Sequence, residues 1–284
     1  MQFDRLQTYI TQLQADPVNF LITMAYTWGV ILFSLILHEC AHGYVALRCG
    51  DPTAKLLGRL SLNPARHLDP IGTLCMFILG FGWAKPVPVN PRNFRNYRRD
   101  DLLVSIAGVT VNLAIFIMAV LLSCLINPLL WTQELRDIMV EEFGEIDILL
   151  NPFYGWVLTF EGISGELGAS SIMYSGHELI DSFALFMDHS WLIYFQRGLL
   201  LLAQVNLTLA VFNLLPFPPL DGFHVVNDTL LKGQLQLNHQ LHQITRLLLL
   251  VLLFTGFLDK FLSVCVSTVY GAVLRLFLLL TGQM

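Results

Sequence analysis

From Asn19 to Leu47 the chain is apolar for long enough to cross a bilayer, yet the second half of that run reads ILFSLILHECAHGYVAL and carries His38, Glu39 and His42. A helical crossing takes about 20 apolar residues. Ionisable groups inside such a segment are costly, so they face a partner or a site rather than lipid. Any fold open to this chain must shelter those three side chains inside a helical membrane bundle.

Three further stretches, Leu102–Leu130, Trp191–Leu215 and Phe261–Leu280, are also long and apolar enough to span, and a fifth, Ile244–Leu258, is short by itself. Hydrophobic residues make up 55% of the chain and charged residues 13%, with a mean hydropathy of +0.62. Soluble domains carry about a quarter charged residues, so that class is excluded. The expected fold is an all-α, multi-pass integral membrane bundle forming one domain over residues 1–284. Residues 131–190 form an acidic extracytoplasmic insertion between spans. The first eighteen residues are polar and weakly charged, and no cleavable leader is read there. The run Ile71–Trp83 is too short and Gly-rich to span. It is expected to be re-entrant or packed inside the bundle, because irregular backbone must be shielded from lipid. The five cysteines form no CxxC pair, which argues against a disulfide framework. Cys40 lies about 200° round the helix from His38 and reads as a small buried thiol.

Charge orients the bundle. Nine of the sixteen Lys and Arg residues lie between Arg48 and Asp101, whereas residues 131–190 hold eleven acidic residues and one basic residue, Arg136. The positive-inside rule puts 48–101 in the cytoplasm and 131–190 outside. The first span then runs inward, bringing His38 and His42 to its cytoplasmic end. The third span also runs inward, and it delivers FNLLPFPPLDG, Phe212–Gly222, to the same leaflet.

His38 and His42 are four residues apart, which stacks them on one helix face about one turn apart. That spacing suits two imidazoles sharing one tetrahedral Zn²⁺, with Glu39 free to act as general base. Eight His and eight Glu in 284 residues would give HExxH by chance on the order of 0.006 times. A catalytic zinc takes a third protein ligand and keeps one open position. Asp221 is the choice, because it follows a span broken by Pro216, Pro218 and Pro219, and unwound segments are where membrane proteins build ion sites. His224 is the rival. His67, His177, His189, His239 and His242 lie outside the spans and read as ordinary polar positions.

These residues resemble the site-2 protease family of intramembrane zinc metalloproteases, in particular its compact bacterial branch without a PDZ insertion. The likeness rests on HECAHGYVALRCGDPTAKLLGRLSLNPARHLDPIGTL, GFGWAKPVPVNPRNFR, AGVTVNL and NLTLAVFNLLPFPPLDG in that order. It implies His38, His42 and Asp221 as zinc ligands and Glu39 as catalytic base. It also implies a helical membrane core with a small membrane-associated β-sheet, a bacterial cytoplasmic-membrane location and cleavage of other proteins' transmembrane segments in regulated intramembrane proteolysis. The family's usual Ala-Gly-Pro-x-x-Asn has Val109 in place of the proline, and 131–190 is long for the compact branch.

A transmembrane substrate must unwind before cleavage, and its freed amides need partners. An edge strand would supply them by β-augmentation, and the candidates are 53–62 (TAKLLGRLSL) and Lys85–Pro91 (KPVPVNP). Asn112 and Asn213 are candidate substrate-binding amides, with helix–helix hydrogen bonding the plainer role for each. Arg95, Arg98 and Arg99 read as a membrane-proximal anchor to anionic lipid and call for no nucleic acid. The competing class is a non-hydrolytic zinc transporter or sensor, although the repeated spans expected of a transporter are absent from the sequence.

Overall fold

The computed structural model describes residues 10–11, 13–14, 17–79, 84–134, 187–189, 191–232 and 239–281. Its helices are α1 (Pro17–Cys49), α2 (Thr53–Leu56), α3 (Pro70–Leu79), α4 (Tyr97–Leu130), α5 (Leu192–Asn213), α6 (Asp221–Thr229), α7 (His239–Phe254) and α8 (Phe257–Thr281). Four of them carry segments long and apolar enough to cross a membrane: Phe20–Cys49, Tyr97–Leu130, Tyr194–Asn213 and Lys260–Phe277. These are the four expected spans. The fifth apolar stretch lies in α7, whose 16 residues reach about 24 Å at 1.5 Å per residue, short of a hydrocarbon core of about 30 Å.

Strand pairing among the described residues is confined to two isolated bridges, Leu68 with Ala84 and Trp131 with Met187. The 53–62 segment is not a strand. Thr53–Leu56 winds into the short helix α2 directly after Pro52, whose fixed φ suits a helix start, and Gly58 then turns the chain at φ +63°. Of the Ile71–Trp83 run, all but the last residues are helical in α3, and 80–83 lie outside the described residues. So do 135–186 and 190, and with them most of the acidic insertion and His177.

Contacts group the chain into two units, one from 1–30, 116–204 and 269–284 and the other from 31–115 and 205–268. In the first, Leu130 and Trp131 are buried and the Phe116 and Tyr270 rings lie 5.8 Å apart. Gln196 donates to the Ser123 carbonyl at 3.3 Å and to Asn127 Oδ1 at 3.4 Å, contacts that its amide N–H groups could not find in lipid.

The second unit holds every candidate site residue. Its apolar cluster of Leu220, Leu249, Leu258 and Leu262, with Val211, Phe212, Leu215 and Leu252 against it, ties the end of α5 to α7 and α8. Helix α4 starts from a reciprocal cap. Asn96 Oδ1 accepts from Arg99 N at 3.4 Å, while Asp100 Oδ2 accepts from Asn96 N at 2.8 Å, satisfying amides a helix start leaves unpaired. Helix α1 ends at Gly50, whose φ of +111° lies in the region that favours glycine. The next residue, Asp51, is fully buried and knots the loop: it accepts from Asn90 N at 2.7 Å, Asn93 Nδ2 at 2.7 Å, Thr53 N at 3.1 Å and the Thr53 hydroxyl. Burial alone would raise its carboxyl, but those donors outweigh it and hold Asp51 below the ordinary carboxylate range.

Candidate metal centre

The HExxH register is helical, as its spacing requires. His38 and His42 lie within α1, with their Nε2 atoms 3.0 Å apart and their rings edge-on at a centroid distance of 4.6 Å. His42 Nδ1 donates to the Val104 carbonyl of α4 at 2.7 Å. That bond fixes the tautomer and leaves Nε2 as the free lone pair, the arrangement metal-binding imidazoles use.

The third group arrives from far along the chain. The prolines stop α5 at Asn213, and α6 restarts at Asp221, so the carboxylate sits in the first turn of a helix, where negative charge is favoured. Asp221 Oδ2 lies 3.3 Å from His38 Nε2 and 3.3 Å from His42 Nε2. The three donor atoms all fall within 4.8 Å of one another.

This group fits zinc. A tetrahedral ion with bonds of about 2.0–2.1 Å holds its ligand atoms about 3.3–3.4 Å apart, which the two Asp–His separations match. Asp221 Oδ2 is buried and has no hydrogen-bond donor among the described residues. A buried carboxylate oxygen left that way is costly unless a cation meets it. Two His and one Asp are also the donor set of a catalytic site with an open position.

Glu39 stands apart from the trio. Its Oε2 accepts from the Val87 amide at 2.7 Å, so the carboxylate is held on the 84–90 segment. In that segment Arg59 donates to the Lys85 and Pro86 carbonyls at 2.8 and 3.2 Å, and Lys85 N donates to the His67 carbonyl at 2.7 Å.

The remaining sequence candidates separate. His224 is not at the centre; its Nδ1 pairs with Asp101 Oδ2 at 3.0 Å. Asn112 is fully buried with neither side-chain atom partnered among the described residues, whereas Asn213 Nδ2 donates to the Leu209 carbonyl at 3.0 Å. His67 is not an ordinary polar position. It is 2% exposed, with Nε2 2.6 Å from the Ser61 carbonyl. Arg98 is not a free lipid anchor either, because its Nε donates to the Asp228 carbonyl at 2.6 Å, at the end of α6. Cys40 is half-buried, with Sγ 3.5 Å from the Ser61 carbonyl.

Two glycines that the motif search passed over shape the site. A Cβ at Gly108 would lie 2.5 Å from His42 Nε2 and 2.6 Å from His38 Nδ1, and closer still to His38 Cε1. A Cβ at Gly222 would lie 2.6 Å from the Leu215 carbonyl oxygen and closer still to the Leu214 carbonyl. The available signal for Gly108 was a small residue in a membrane helix, which marks close approach of a neighbour. Along α4, Asp101, Val104, Gly108 and Asn112 recur at three- and four-residue steps and so share one face. That face carries the His224 partner, the His42 acceptor, the clearance for both imidazoles and the unpartnered amide.

Comparison with known proteins agrees with this geometry. The model of Peptidase family M50 matches residues 26–255. The protein named "Putative zinc metalloprotease YwhC" of Bacillus subtilis strain 168 is 33% identical over 210 residues, covering 74% of this chain and 71% of its own. Rip2 of Mycobacterium tuberculosis, which carries the same designation in strains Erdman and H37Rv, is 40% identical over 90 residues, 30% of this chain and 34% of its own. No solved structure matches. A family match across most of the sequence, with the zinc-type donor set inside it, shows that this chain belongs to peptidase family M50, the site-2 proteases, and is an intramembrane zinc metalloprotease.

Proposed function

We propose that His38, His42 and Asp221 hold the zinc, that Glu39 is the general base, and that the enzyme cuts transmembrane segments of other proteins from the cytoplasmic side of a bacterial cytoplasmic membrane. The observation that carries this is the convergence of three donors from α1 and α6 within 4.8 Å in a chain of apolar spans. When bound, the ion supplies Lewis-acid polarisation of the scissile carbonyl and a lowered water pKa. Glu39 takes a proton from water as its oxygen attacks the carbonyl carbon. The same carboxyl then passes that proton to the leaving nitrogen as the C–N bond breaks, giving a carboxylic acid and an amine. Val104 keeps the His42 ring oriented throughout by accepting from Nδ1.

The substrate arrives as a helix and reacts as an extended strand. Lys85–Pro91 is the segment that pairs with it and completes the small β-sheet of the family. Pro86 and Pro88 lack N–H groups and Lys85 N already donates to the His67 carbonyl, so the donors left are Val87 and Val89, two apart and on one side. Val87 N–H, held on Glu39 at 2.7 Å, is the donor the substrate carbonyl takes over. Asn112, buried without a partner among the described residues, receives a freed main-chain group, and Asn213 adds its side-chain carbonyl oxygen. The basic 48–101 connection, with nine of the sixteen Lys and Arg residues, supports the cytoplasmic orientation.

The test is zinc content and cleavage of a single-span substrate in proteoliposomes, for wild type and Glu39→Gln. The variant is expected to retain zinc and lose cleavage by at least 10²-fold, the lower end for a missing general base. Cleavage at the wild-type rate by the glutamine variant would remove Glu39 from the chemistry.

A further inference from the structure

Helix α6 has nine residues, and a helix that short is marginal on its own, yet its first residue is the third donor of the metal centre. Something must hold it. At one end Leu220, the residue before Asp221, packs into the cluster with Leu249, Leu258 and Leu262. The other ties run to α4. His224 Nδ1 meets Asp101 Oδ2 at 3.0 Å. Arg98 Nε donates to the Asp228 carbonyl at 2.6 Å, with its terminal nitrogen 3.5 Å from the Thr229 carbonyl. Those are last-turn carbonyls with no partner within the helix, which arginine commonly caps. Asp221, His224 and Asp228 are spaced three and four apart and share the α6 face that lies along α4.

We infer that Arg98, Asp101 and His224 are positioning residues that grip α6 along its second and last turns and thereby hold Asp221 at the two imidazoles. This rests on Asp221 being a zinc ligand, as proposed above. The grip acts at a lever arm. Asp228 stands seven residues, about 10 Å, along the helix from Asp221, so a small tilt of α6 at its far end displaces the carboxylate by a distance that matters against a ligand tolerance of about 0.2 Å.

The clamp also contains a proton. The Asp228 side chain is buried beside the Asp101 carboxyl. The groups facing it are Asp101, His224, Arg98 and Tyr97. Burial first, then the Asp101 carboxylate, push Asp228 up to about 6, with His224 and Arg98 opposing. The Asp101 carboxylate likewise raises His224, although burial opposes it. Both shifts have the same sign: the protonated forms close the clamp, and rising pH through the raised values opens it.

The experiment measures zinc affinity of the full-length protein in detergent by chelator competition. Asp221→Asn is expected to lose zinc outright. Asp101→Ala and His224→Ala should each weaken binding about tenfold, the lower end for residues that orient a ligand from behind. The double variant should be no weaker than the poorer single, because both break one contact. His224→Gln, which still donates to Asp101, should recover most of the loss. Arg98→Lys gives an independent reading should an alanine variant fail to fold, and it too should weaken zinc. The ratio of Asp228→Asn affinity to wild type should be near one at pH 5 and rise above pH 6, because the amide keeps the clamp closed where the carboxyl would ionise; a general loss of packing gives no such rise. Wild-type zinc affinity in Asp101→Ala, His224→Ala and Arg98→Lys, with zinc lost in Asp221→Asn, overturns the clamp alone. Zinc retained by Asp221→Asn overturns the ligand assignment and the clamp with it.

Discussion

Gly108→Ala is the smallest change that reaches the metal centre without touching a donor. The added methyl would stand 2.5 Å from His42 Nε2 and 2.6 Å from His38 Nδ1, where ordinary contact begins at 3.4 Å. Each ring would therefore have to retreat by nearly 1 Å, several times the tolerance of about 0.2 Å on a zinc–ligand distance. Neither ring is a loose end. His42 is fixed by its 2.7 Å bond to the Val104 carbonyl, and His38 is 5% exposed. Overpacking of this kind costs about 1–3 kcal/mol, and with 1.4 kcal/mol per tenfold zinc binding should weaken roughly ten- to a hundredfold. Chelator competition on the purified protein reads the affinity, and a melting curve shows whether the bundle survives. The matched control is Gly29→Ala in the same helix as the histidines, where an added Cβ meets nothing within 4 Å. That variant should be neutral or about 0.5–1 kcal/mol more stable. A Gly108→Ala enzyme with wild-type zinc affinity would show that the close approach of α4 to the two rings does not exist in the folded protein.

Two other perturbations test the frame around the site. Because Asp51 is held below the ordinary carboxylate range, its contribution is fully present above the unfolded value of about 3.9 and lost as pH falls through the lower folded value. Thermal melting from pH 7 down to 3 should therefore fall in wild type and start lower but flatter in Asp51→Asn. Gly222→Ala would press its methyl into the Leu214 and Leu215 carbonyls, and backbone cannot step aside as a side chain can. It should destabilise by about 3 kcal/mol or more, seen as a melting shift with zinc and without.

The parts of this site that rest on local periodicity were legible in the sequence. A spacing of four puts two histidines on one helix face whatever surrounds them, and charge inside an apolar run is costly enough to demand a reason. The prolines before Asp221 announced a broken helix, and the carboxylate that follows them lies against both histidines. Contacts made across helices were not legible. His224 stood as the rival ligand to Asp221 until its ring was seen on Asp101. Arg98 looked like a lipid anchor because nothing in its neighbours names a carbonyl 130 residues away. Gly108 carries no side chain to advertise its role. The 53–62 segment misled because its alternating apolar residues suit a strand, while Pro52 and Gly58 set a helical turn and a reversal that override the alternation.

The shared face of α4 also works as a ruler. Its charged first turn, Arg98 to Asp101, precedes the apolar run, and Gly108, which backs onto both imidazoles, follows Asp101 by seven residues. At 1.5 Å per residue the imidazoles sit about 10 Å along α4 from that turn, a third of the thickness of a hydrocarbon layer of about 30 Å. A client helix need not melt along its whole length to be cut there. On the proposed orientation two turns counted from its cytoplasmic end suffice, and the rest can stay wound while the severed end departs into water.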